Sequence, residues 1–248
     1  MALRDFQNAI GTMVRASDGG DRLNEREVMP AESSYLCSLQ ENAAFRFTIK
    51  VQRSWCAGRA AKAAFLTLSM LPDETRRQLL NDWTSLGGGT QSFVAAESAA
   101  FLEFISRHLE NPSHEFTVCM LEMAALRANE GAQHFARPRP INFNLDSQHC
   151  LLQRGNYAGL VRFHAQPQQL LDALMKKEPL PPMSSNATAL LFGPGLDRLY
   201  RTASRNEVIV YEKLTTPTPA TLLVGEGFNR ESLQDLLEGG IVEYTRQP

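Results

Sequence analysis

Apolar side chains recur three and four apart along the first part of the chain. Leu3, Phe6, Ile10, Met13 and Val14 trace one face of a helix over residues 2–16, and Asp18-Gly19-Gly20-Asp21 ends it. The stretch from there to Ser34, with Pro30 inside it, reads as loop. Phe45, Phe47, Ile49 and Val51 then alternate at strand period, but they run without punctuation into the alanine-rich segment Arg53-Ser54-Trp55-Cys56-Ala57-Gly58-Arg59-Ala60-Ala61-Lys62-Ala63-Ala64. Either a strand hands over to a helix at Ser54, or one long helix, apolar nearly all round, spans both. In an otherwise helical half the long helix is favoured. Three more helices follow. Pro72-Asp73 opens one, which Gly87-Gly88-Gly89 closes. The next covers residues 92–109, with Phe93, Ala96, Ala100, Phe101 and Phe104 on one face. The last is capped by Ser113, carries Glu115 in its first turn, and repeats Phe116, Cys119, Met120, Met123, Ala124 and Arg127 at helical spacing.

The period changes after Arg137-Pro138-Arg139-Pro140, where two prolines in four residues prevent a helix from continuing. Short runs at 141–145, 150–153 and 159–163 predict strands, separated by turn residues at Asp146-Ser147 and Gly155-Asn156. A helix is predicted at 167–177 and a proline-rich loop at 179–182. Three strands follow at 187–192, 196–203 and 207–214, the first two joined by a Gly193-Pro194-Gly195 hairpin turn. Asn229 caps a short helix at 230–237, Gly239-Gly240 ends it, and residues 241–245 form a last strand. The predicted fold class is α+β. An N-terminal helical bundle, residues 1–137, precedes a smaller strand-rich α+β domain, residues 138–248, with a mainly antiparallel sheet.

Composition narrows what such a fold does. The 248 residues are 43% apolar and 21% charged, which rules out wholesale disorder. The 25 basic and 27 acidic residues leave a net charge of −2, so there is no electrostatic footprint for nucleic acid or anionic lipid. No run approaches the roughly 20 apolar residues of a membrane span, and the first residues lack the apolar core of a signal peptide. A cytoplasmic protein with no membrane and no nucleic-acid partner is expected. The four cysteines, Cys37, Cys56, Cys119 and Cys150, are scattered, as small buried hydrophobes are.

Motifs for chemistry are incomplete. His114-Glu115 begins a zinc-protease pattern that Val118 breaks. Glu130 and His134 share a helix face at four-residue spacing, but two ligands are not a metal site. The Gly87-Gly88-Gly89-Thr90 run lacks the Gly-Lys-Ser/Thr ending of a phosphate loop, and no G-x-S-x-G nucleophile elbow occurs. Cys56 and Cys119 sit in apolar helices that disfavour a thiolate. No catalytic residue, metal ligand or cofactor is expected in this chain. The conspicuous residues are charges in or beside apolar helices: Arg53, Arg59 and Lys62 in the first, Glu122 and Arg127 in the second. They are either structural ion pairs, for example Arg59 with Glu122, or a patch held for a second protein.

Two segments, Arg53 to Ala64 as written above and Cys119-Met120-Leu121-Glu122-Met123-Ala124-Ala125-Leu126-Arg127-Ala128, resemble the methanobactin biosynthesis protein C family. The order of a helical half and then a smaller strand-rich half is similar too. The resemblance implies a partner subunit of a multinuclear iron-dependent oxidase, methanobactin biosynthesis protein B, whose TIM barrel holds the iron. It implies binding of a ribosomal precursor peptide by its leader while the oxidase, with O₂, converts core cysteines to oxazolone and thioamide groups that later chelate copper. This chain is then non-catalytic by itself but a required part of the heterocomplex. A stand-alone enzyme, or a small-molecule binder with a pocket between the two domains, is the alternative.

For peptide capture the sequence offers Glu207-Val208-Ile209-Val210-Tyr211-Glu212-Lys213-Leu214, β-branched and aromatic with charged ends. Val208, Ile209, Val210 and Tyr211 are the candidate strand to which an extended leader adds. If that strand is central, another, such as residues 241–245, is the edge.

Overall fold

The computed structural model describes residues 30–88, 94–138, 144–147 and 149–246, together with Gln7, Ile10, Gly11, Met13 and Val14. Of the predicted first helix, those five residues are helical and Met13 is buried; the rest of residues 2–16 lie outside the described residues, as do residues 141–143 of the first predicted strand. The architecture is α+β, with ten described helices and two three-stranded antiparallel sheets. The chain divides into two compact units, Met1–His108 and Leu109–Pro248.

In the first unit, α1 (Pro30–Glu41) begins where a loop was expected. Proline is tolerated in a first helical turn, because the N–H it lacks has no partner there. Asn42 separates α1 from α2 (Ala43–Ala63), its side-chain oxygen accepting from the N–H groups of Ala44 and Phe45 at 2.9 and 3.2 Å. That cap sets the long helix, so the alternation of residues 45–51 is not a strand. Its outer side keeps Phe47 and Trp55 about two-thirds exposed. A short α3 (Phe65–Met70), α4 (Asp73–Ser85) and α5 (Val94–Ser106) complete the described part. An aromatic cluster ties α4 to α5: Trp83 lies 5.3 and 5.5 Å from the rings of Phe101 and Phe104. The chain bends back at Gly88 onto the Trp83 ring, and a Cβ there would meet the indole at 2.2 Å.

The second unit starts 29 residues before the compositional break, because α6 (His114–Ala132) packs on the sheet that follows it. Ser113 caps α6, accepting from the Phe116 N–H at 3.0 Å. A Cβ added to Gly159 would sit 2.7 Å from the Ala124 Cβ, and one added to Gly131 would strike the Tyr157 ring. The strands are β1 (Cys150–Arg154), β2 (Gly159–Phe163), β3 (Thr188–Phe192) and β4 (Tyr200–Thr202). The helix α7 (Pro167–Lys176) joins β2 to β3. One sheet has the order β2-β3-β4. The other, β5-β1-β6, adds β5 (Thr218–Pro219) and β6 (Val242–Arg246) on either side of β1. Between β4 and β6 lie α8 (Arg205–Lys213), α9 (Ala220–Gly225) and α10 (Arg230–Glu238). The core gathers Leu152, Leu191, Leu214, Leu223, Leu233, Leu236 and Ile241, each at most 1% exposed.

Of the strand expected at 141–145, the described residues Asn144 and Leu145 are not strand, and two further expectations fail in this unit. Of the strand expected at 196–203 only Tyr200–Thr202 pairs. Val208, Ile209, Val210 and Tyr211 do not form a strand at all: they are the body of α8. Their β propensity is overridden by a complete capping box. The Ser204 Oγ accepts from the Glu207 N–H at 3.3 Å, and Glu207 returns a carboxylate oxygen to the Ser204 N–H at 2.8 Å. Helical spacing then buries Val210 and Tyr211 and leaves Ile209 at the surface.

Candidate functional site

The flagged charges fall into two places. Arg53 donates to the Ser85 hydroxyl at 3.2 Å, and Arg59 lies 3.3 Å from the Glu97 carboxylate, both within the first unit. Glu97 is nearly buried while Arg59 is about one-third exposed. Arg59 finds a carboxylate on α5; Glu122 and Arg127 are on α6. Cys56, Cys119 and Cys150 are buried, and burial pushes the Cys150 thiol up, away from nucleophile chemistry. Among the described residues no three His, Cys, Asp or Glu side chains converge as a metal site, and no helix is long and apolar enough to cross a membrane.

A cavity of about 300 Å³ opens in the second unit beside β2. Leu160, Val161 and Arg162 all line it. Successive strand residues point to opposite faces, so three in a row can share one cavity only along the strand's edge. The order β2-β3-β4 puts β2 at an edge, with no strand on its outer side among the described residues. The ladder shows which groups face outward. Ala189 of β3 gives its carbonyl to the Ala203 N–H beyond β4, at 2.9 Å. In β3, Ala189 and Leu191 therefore point toward β4, and their opposite numbers on β2, Arg162 and Leu160, direct their backbone groups away from β3. The Thr117 hydroxyl donates to the Ser113 carbonyl of its own helix at 2.8 Å and lies 3.3 Å from the Arg162 carbonyl.

The two walls differ chemically. On one side α6 supplies Phe116, Thr117 and Met120. On the other stand Arg154, Tyr211 and Glu212. Arg154 is held in place: its Nε donates to the Tyr211 carbonyl at 2.6 Å, a second nitrogen donates to the Glu212 carbonyl at 3.1 Å, and its guanidinium lies 4.7 Å from the Tyr211 ring centre. It thereby satisfies carbonyls at the C-terminal end of α8, where a cation suits the helix dipole. Arg162 pairs with Glu212, and both side chains are about half exposed. Burial pushes the Tyr211 phenol up, and the Arg154 and Arg127 guanidiniums pull it partly back. Tyr211 thus stays a neutral hydroxyl near neutral pH. At one end of the groove His164 accepts the Ser184 N–H on its carbonyl at 2.5 Å, closing the strand there.

Of the sequence candidates, Tyr211 lines this groove, and the Arg127 charge acts on its phenol. Val208, Ile209 and Val210 do not line it. Arg154, Arg162 and Thr117 carry no motif that marks them; only the strand at 159–163 was legible, not that it lies at an edge. The alternative edge, β6, is at the end of its own sheet. No family model matches this chain, and neither does any curated protein.

Proposed function

We propose that this chain is a non-catalytic partner subunit of an iron-dependent peptide-modifying oxidase, and that its second unit holds the leader of a ribosomal precursor peptide as an added strand on β2. The observation that carries the peptide-binding part is the outer edge of β2, whose Leu160 and Arg162 backbone groups face a cavity. Backbone pairing at such an edge supplies affinity, and pockets for alternate side chains supply specificity. The oxidase assignment, with its iron in the other subunit, its oxazolone and thioamide products and a cytoplasmic setting, is supported by the resemblance of residues 53–64 and 119–128 to the methanobactin biosynthesis protein C family. The leader-binding strand expected at Val208–Tyr211 passes to β2, because those residues are helical.

Co-expression with a multinuclear iron oxidase and a cysteine-bearing precursor tests the proposal. The chain co-elutes with the oxidase, precursor cysteines lose mass consistent with oxidation only when both subunits are present, and leader peptide slows amide exchange at residues 160–162. Protection confined to residues 1–108 overturns the β2 assignment; full modification by the oxidase alone overturns the subunit assignment.

A further inference from the structure

Resting on the reading of β2 as the peptide-binding edge, we infer that the peptide it takes is amphipathic in strand register and acidic: apolar side chains toward α6, carboxylates toward Arg162. The two sides of an added strand meet unlike walls. One set of alternate side chains faces Phe116 and Met120, which are apolar. The other set faces Arg154, Arg162 and Glu212, where the cations outnumber the carboxylate. Arg154 is committed to the α8 carbonyls and the Tyr211 ring. Arg162 is the exchangeable cation. Its pair with Glu212 is half exposed on both sides, and such a pair contributes little to the fold. An incoming carboxylate can take Glu212's place on Arg162, and the guanidinium fork then offers two parallel donors. Glu212 thus occupies, in the free chain, the position a peptide carboxylate takes in the complex. A lysine at the same register meets Arg162 and Arg154 as like charges and has only Glu212 to offset them.

The test uses the full chain and synthetic nine-residue peptides with leucine at alternate positions and glutamate, glutamine or lysine between them, read by fluorescence anisotropy and amide exchange. Glutamate peptides bind about tenfold tighter than glutamine ones, the scale of one charge-assisted hydrogen bond, and lysine peptides bind weakest. Arg162→Gln abolishes the difference between glutamate and glutamine peptides while binding of the glutamine series is retained. Glu212→Gln, which frees Arg162, tightens glutamate binding, so the inference does not depend on one variant. Protection at residues 160–162 with no preference for glutamate, or a preference that survives Arg162→Gln, overturns this inference and leaves the edge reading standing. If no series protects residues 160–162, the edge reading falls and the inference with it.

Discussion

Glu207 is at once a capping residue, a nearly buried carboxylate and the partner of Arg201. Burial works to raise its pKa, but hydrogen bonds from Arg201 and Ser204 together with the Arg201 charge outweigh that and lower it. A carboxylate whose folded pKa lies below its unfolded value contributes stability that is present above the unfolded pKa and lost as pH falls through the folded one. Glu207→Gln is therefore expected to lower the melting temperature at neutral pH and to flatten its fall below about pH 4; thermal melts from pH 3 to pH 7 check both. In the first unit, Glu97 is the buried member of the pair with Arg59. Arg59→Met leaves that carboxylate without the guanidinium. Because Arg59 is partly solvated, the expected cost is about 1–3 kcal/mol rather than the larger cost of breaking a fully buried pair. Urea unfolding measures it, and an unchanged midpoint would mean that solvent replaces Arg59 at no cost.

At the scale of elements, β2 pairs with β3 and α6 packs on its face, with Gly159 against Ala124. A Cβ there would lie 2.7 Å from the Ala124 Cβ and 3.4 Å from the Ala124 Cα, so a methyl group needs α6 to move. Gly159→Ala is expected to destabilise the second unit by about 1–3 kcal/mol, while Gly58→Ala, on the open side of α2 with nothing within 4 Å, is expected to stabilise by about 0.5–1 kcal/mol. Denaturant midpoints of the two variants should move in opposite directions. Elements whose signal is local were legible in the sequence: Ser113 and Asn229 as caps, the Pro72-Asp73 opening, and the strands at 150–153 and 159–163. At α8 the β propensity of Val208–Tyr211 competes with Ser204-x-x-Glu207, a capping box in the same sequence, and the cap prevails. The short β4, β5 and α9 lack any period long enough to read. The groove was not legible at all, since an edge strand differs from a central one only in what folds beside it.

For the whole molecule, the compositional break at residues 137–140 and the division of the fold at Leu109 make different predictions about which fragment folds. The helix α6 lies between the two boundaries, and it buries Val118, Cys119, Met123, Ala124 and Ala128. Val161 and Phe163 of β2, on the strand face shared with Gly159, are at most 1% exposed. Removing α6 uncovers that face. At about 1.5–3 kcal/mol for each large apolar side chain returned to water, losing the cover of Val161 and Phe163 together with the burial of Val118 and Met123 consumes most of the 5–15 kcal/mol that holds an ordinary domain together. A fragment of residues 109–248 is therefore expected to unfold in one cooperative thermal transition with dispersed amide resonances. A fragment of residues 138–248 is expected to show neither, and to bind a dye for exposed apolar surface. The same comparison bears on peptide capture, because one wall of the groove, Phe116, Thr117 and Met120, belongs to α6. The 109–248 fragment should retain peptide-dependent protection at residues 160–162. If the 138–248 fragment folds cooperatively and keeps that protection, α6 is dispensable to both the sheet and the groove, and the division of the molecule at Leu109 has no energetic meaning.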